Sequence, residues 1–89
     1  NDVRYTLSQN WPNPFNPSTN ITFSIAERQL VSLAVYDLSG RLISILAERE
    51  YPAGTHTVAF NAPDIPSGTY LYSLHAGDHV FTRSLLLAR

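Results

Sequence analysis

Apolar residues recur at every second position along most of this chain and nowhere with helix spacing. The pleat of a β-strand is therefore the regular structure that the pattern supports. Ile21, Phe23 and Ile25 share one face of a first strand, and Val31, Leu33 and Val35 one face of a second. The polar turn Ala26-Glu27-Arg28-Gln29 joins them. Leu42 to Leu46 reads as a third strand, paired with the second through Asp37-Leu38-Ser39-Gly40, where Asp can bond its own backbone and Gly can supply positive φ. Glu48-Arg49-Glu50 reads as a polar bend before the turn Tyr51-Pro52-Ala53-Gly54, and His56, Val58 and Phe60 mark the inner face of a fourth strand. Two prolines and a glycine between Asn61 and Gly68 make that stretch a connection between sheets. Thr69 to His75 and His79 to Leu87 form a last hairpin closed by Ala76-Gly77-Asp78, with Tyr70, Tyr72 and Leu74 alternating on one face. A short strand between Arg4 and Leu7 would bring the count from six to seven. Strands so spaced predict an all-β fold, an antiparallel β-sandwich of six or seven strands.

Pro12, Pro14 and Pro17 remove backbone donors and bias their neighbours to extended geometry, so the stretch around them is neither helix nor central strand. Residues 1–19 are thus expected to be a Pro/Asn-rich lead-in packed on a sandwich of residues 20–89. Trp11 and Phe15 are its large apolar groups, expected to pack down onto the first sheet and lock the loop. The last strand is apolar on both sides, with Phe81, Leu85 and Leu87 on one face and Val80 and Leu86 on the other. Together with Tyr36 and Leu71 on outer faces, it implies an apolar patch that is either exposed or covered by the lead-in.

Eighty-nine residues make one domain, which buries roughly 60% of the surface of its unfolded chain. Cysteine is absent, so stability has to come from packing. A formal net charge of −1 and six scattered cations, all arginine, supply no basic stripe, which argues against nucleic acid as a partner. The longest apolar run near the C-terminus, Leu85-Leu86-Leu87-Ala88, falls far short of a membrane-spanning helix, so membrane insertion is not expected. Asn1 in place of Met, without a leader, fits a module cut from a longer protein, the remainder of which is expected to hold the catalytic or binding activity.

No reactive constellation emerges. His75 and His79 straddle a turn with only Asp78 beside them, too few donors for a zinc site, and His56 suits a structural place in the turn after Ala53-Gly54. There is no Gly-x-Ser-x-Gly elbow or paired-carboxylate arrangement, and Gly40, Gly54, Gly68 and Gly77 each belong to a separate turn, not a phosphate loop. Asp37 and Asp64 lack the acidic neighbours of a calcium site. Asn20-Ile21-Thr22 is a formal glycosylation sequon opening a strand. The expectation is a chain with no catalytic residue, cofactor or metal.

Five blocks, in order, carry a family resemblance: Gln9-Asn10-Trp11-Pro12-Asn13-Pro14-Phe15-Asn16-Pro17-Ser18-Thr19, Val35-Tyr36-Asp37-Leu38-Ser39-Gly40-Arg41, Ala53-Gly54-Thr55-His56-Thr57-Val58, Ser67-Gly68-Thr69-Tyr70-Leu71-Tyr72 and Ala76-Gly77-Asp78. In these the chain resembles the type A C-terminal sorting domains of the type IX (Por) secretion system. The resemblance implies an immunoglobulin- or fibronectin-III-like sandwich. It also implies a monomeric, non-catalytic module that directs a secreted cargo across the outer membrane of a Gram-negative bacterium to cell-surface attachment. The secretion machinery would be its partner. Gly68, Tyr70, Gly77, Leu85, Leu86, Leu87 and Arg89 match the family's final motifs, with Arg83 standing one place before the usual basic residue, which is Ser84 here. A second reading is a structural or carbohydrate-binding sandwich on a secreted glycoside hydrolase, with Tyr36, Tyr51, Tyr70 and Tyr72 as a sugar-stacking row.

Overall fold

The computed structural model describes residues 3–89. Its seven strands are β1 (Thr6–Leu7), β2 (Ser18–Ile25), β3 (Gln29–Tyr36), β4 (Leu42–Tyr51), β5 (Gly54–Asn61), β6 (Gly68–Ala76) and β7 (His79–Leu87). They form two antiparallel sheets, a three-stranded sheet in the order β1-β2-β5 and a four-stranded sheet in the order β4-β3-β6-β7. The architecture is a β-sandwich, and the alternation dictates it. A strand with one apolar face can bury that face only against another apolar face.

The inner faces are those expected. Ile21, Phe23 and Ile25 of β2 and Phe60 of β5 meet Val31, Leu33 and Val35 of β3, Tyr70, Tyr72 and Leu74 of β6, and Leu85 and Leu87 of β7, all buried in one core. Each such side chain contributes about 1.5–3 kcal/mol by leaving water. The β5–β6 connection crosses between sheets, and the Tyr70 hydroxyl donates to the Pro66 carbonyl at 2.6 Å. That bond, from the start of a strand back to the preceding corner, is the tyrosine corner of immunoglobulin-like sandwiches. The β6–β7 turn is a two-residue hairpin loop with Gly77 at φ +59°, and a Cβ there would lie 2.8 Å from Gln29 Oε1.

Two expectations are corrected. Glu48, Arg49 and Glu50 are not a bend but the continuation of β4, opposite Ser32, Val31 and Leu30 of β3. β4 is the outermost strand of its sheet, where charged side chains stay in water, so their polarity did not signal a break. Trp11 does not pack on the sheet. Its side chain is 76% exposed, while Phe15, four residues on, is 2% exposed. The two aromatics part: Trp11 is held to Asn20 by a pair of backbone bonds with its ring in solvent, whereas Phe15 turns inward between the sheets and meets the Phe60 ring at 5.8 Å.

Candidate functional site

The lead-in runs along the outer edge of β7, joining residues more than seventy positions apart in sequence. Gln9 Nε2 donates to the Ser84 carbonyl at 2.7 Å, and the Leu86 amide donates to Asn13 Oδ1 at 3.0 Å. The Phe15 amide donates to the Leu86 carbonyl and the Ala88 amide to the Phe15 carbonyl, each at 3.0 Å. Arg83 Nε donates to the Leu7 carbonyl at 2.5 Å, tying β7 to β1. An edge strand exposes a row of unpaired backbone groups, and here side-chain amides and a single parallel bridge, Phe15 to Leu87, occupy that row.

Beneath this seam, Tyr72 is fully buried and acts as a rivet. Its hydroxyl donates to the Ser8 carbonyl at 2.7 Å and accepts the Asn10 amide at 2.9 Å. Burial pushes its phenol pKa upward, opposed in part by the Asn10 hydrogen bond and the Arg83 charge. Asn10 is itself buried, and its amide nitrogen reaches Thr19 Oγ1 at 3.0 Å and the Pro12 carbonyl at 3.2 Å. The asparagines of the lead-in thus stand in for the ladder that its prolines cannot build.

At the chain end, Arg89 holds the β5–β6 connection. Its amide donates to Ser67 Oγ at 2.9 Å, Nε donates to the Ile65 carbonyl at 2.8 Å, and a terminal guanidinium nitrogen donates to the Pro63 carbonyl. The residues nominated from the sequence are therefore not gathered at one point: Gly68, Tyr70, Leu85, Leu86, Leu87 and Arg89 lie toward the β5–β6 connection, whereas Gly77 lies in the hairpin at the far end of β6 and β7, and they differ in what they offer. Leu85 and Leu87 are core, Tyr70 is the corner, Gly68 begins β6 and Gly77 makes the hairpin. Leu86, 40% exposed, is the apolar side chain of this group that reaches solvent.

The histidines are dispersed by the pleat. His75 pairs with Val80 on the outer face, whereas His79 pairs with Ala76 on the inner one and stacks on Tyr5 at 3.7 Å. His56 Nε2 lies 2.7 Å from the Pro52 carbonyl, which can only accept, so this nitrogen donates and closes the β4–β5 turn. Asp37 closes the β3–β4 turn by accepting from Ser39 and Arg41. The Ser39 hydroxyl, then the Arg41 amide, holds its carboxyl below the usual range. Among the described residues, no group of three His, Cys, Asp or Glu side chains converges on a point, and no helix is long and apolar enough to cross a membrane. Two open hollows indent the surface. One, of about 330 Å³, is lined by Gln29, Leu30, Ser32, His75 and Gly77; the other, of about 450 Å³, lies between β1 and β7 and includes Tyr5, Phe81 and Arg83. Tyr51, Tyr70 and Tyr72 are buried and cannot form an exposed sugar-stacking row with Tyr36.

Fold and surface together define a small β-sandwich whose last strand is stitched to Leu7, Gln9, Asn13 and Phe15 near its start. The family model described as a secretion system C-terminal sorting domain matches residues 9–88, and the chain belongs to that family. No curated protein matches the chain. No solved structure matches it. The family is a non-catalytic signal module recognised by the type IX secretion machinery, and its presence marks a secreted protein. The match begins at Gln9, whose side-chain amide donates to the Ser84 carbonyl of β7. Sequence reading missed this stitching because side-chain amide bonds across the whole length of a chain leave no periodic signal.

Proposed function

We propose that this domain carries a cargo, placed before Asn1, across the outer membrane of a Gram-negative bacterium and leaves it attached to the cell surface. The observation that supports this most is the family match over nearly the whole sandwich, from lead-in to last strand. The module acts as a monomer, and Gly68, Tyr70, Gly77, Arg83, Leu85, Leu86, Leu87 and Arg89 build the label it presents. In the folded state, most of these shape and hold the last hairpin, and Leu86 is the apolar group available to a partner. A buried leucine cannot be read without unfolding the strand that contains it. Neither the carbohydrate-binding reading nor an enzymatic one gains support from the buried tyrosines and the dispersed histidines.

Attachment is tested by protease shaving of intact cells that express the domain behind a reporter. The reporter is expected to stay with the cells and be digested by added protease. A reporter found only in the culture fluid would refute surface attachment, and one protected from protease would refute export.

A further inference from the structure

The two outer faces of the sandwich differ in kind. On the three-stranded sheet, Thr6 faces Ser24, Thr22 faces Thr57, Asn20 faces Ala59 and Ser18 faces Asn61, a ladder of small polar groups, several of them hydrogen-bonded to each other. On the four-stranded sheet, cross-strand rows join Leu42, Tyr36, Leu71 and Ser84; Ile45, Ala34, Ser73 and Thr82; and Glu48, Ser32, His75 and Val80. Leu30 and Leu86 lie on the same side, because each stands one residue from an inward-facing neighbour, Val31 and Leu87. The large apolar side chains exposed on this face are thus Leu30, Leu42, Ile45, Val80 and Leu86, between 40% and 62% exposed. The lead-in, which could have covered them, instead runs along the β7 edge and sends Phe15 between the sheets. Five exposed apolar side chains on one face, against a polar ladder on the other, make this the face better suited to meet a partner.

We propose that the outer face of the β4-β3-β6-β7 sheet is the surface by which the domain docks on a receptor protein of the secretion machinery. The receptor would present a flat, apolar surface with a basic residue at one corner. This inference rests on the family reading above and deepens it. Two features select the occupant. Leu86 places the face on the C-terminal strand, continuous with the family's final motif. The charged side chains on the face are acidic, Glu48 and Glu50 on β4. Glu50 is paired with Arg28 at 3.1 Å, whereas Glu48 forms no ion pair among the described residues. No arginine of the sheet points outward to meet it, since Arg49 and Arg83 pair with the inward-facing Val31 and Tyr72. A second copy packed face to face would bring only more carboxylates, while a receptor with a cation at that corner satisfies the charge and excludes wrong partners.

The test uses the whole domain fused to a reporter. Leu42→Glu with Ile45→Glu, and separately Glu48→Arg, alter the proposed face, while Ala59→Glu alters the polar one. All these side chains are exposed, so melting temperatures should stay within about 4 °C of the wild type. Both face variants are expected to lower export about tenfold or more, with Ala59→Glu unchanged. Wild-type export from stably folded face variants would overturn the proposal, as would a concentration-dependent dimer in sedimentation that Leu42→Glu with Ile45→Glu abolishes. A wild-type fusion that is not exported would instead refute the family reading, and with it this inference.

Discussion

A chain ending at Ser84, without Leu85 to Arg89, is expected to lose cooperative folding altogether. Leu85 and Leu87 are buried in the core, and removing one such side chain costs about 2–5 kcal/mol. Two of them, lost along with the end of the β6–β7 ladder and the Phe15 bridge, consume most or all of the roughly 5–15 kcal/mol that holds a domain of this kind together. Arg89, which ties down Pro63, Ile65 and Ser67, is lost in the same cut. Urea titration followed by circular dichroism should show no sigmoidal transition for the truncated chain. A transition near that of the full chain would show that the last five residues are an appendage and not part of the core. The parent protein should also remain in the periplasm. Because unfolding alone suffices for that result, truncation cannot locate the label, and substitutions of exposed residues are required.

Phe15→Ala is the second large effect expected, at about 3–5 kcal/mol for a buried aromatic. The ring fills the space beside Phe60, and its backbone is bonded to both Leu86 and Ala88. Loss of the ring should loosen the lead-in from β7. Hydrogen exchange at the Leu86 and Ala88 amides is then expected to accelerate more than at amides in the middle of β3. The neighbouring Trp11→Ala, at a side chain mostly in water, should change stability by no more than about 0.5 kcal/mol. Equal losses at the two positions would contradict the assignment of one ring to the core and the other to solvent.

This contrast also shows what sequence alone could and could not supply. Strands β2, β3, β5, β6 and β7, their inner faces and the hairpin glycine at Gly77 were legible, since a period of two and a turn residue are local signals. Trp11 and Phe15 were not separable, because both are aromatic residues followed or preceded by proline and only the third dimension decides which enters the core. The length of β4 was obscured by its edge position, where Glu48 and Glu50 cost nothing. The apolarity of β7 on both faces was visible, but whether the lead-in covered its outer face depended on the side-chain amides of Gln9 and Asn13, which direct that segment to the edge. The candidate site was therefore legible as a set of positions and not as a surface. Leu85, Leu86 and Leu87 are alike in sequence and opposite in exposure.

A self-contained sandwich is expected to be enough to take an attached protein out of the cell by the type IX route. Fusing residues 1–89 behind a reporter and comparing a competent strain with one lacking the secretion machinery tests it directly. Reporter is expected outside the competent cells and held in the periplasm of the deficient ones. Equal release from both strains, or retention in both, would contradict it.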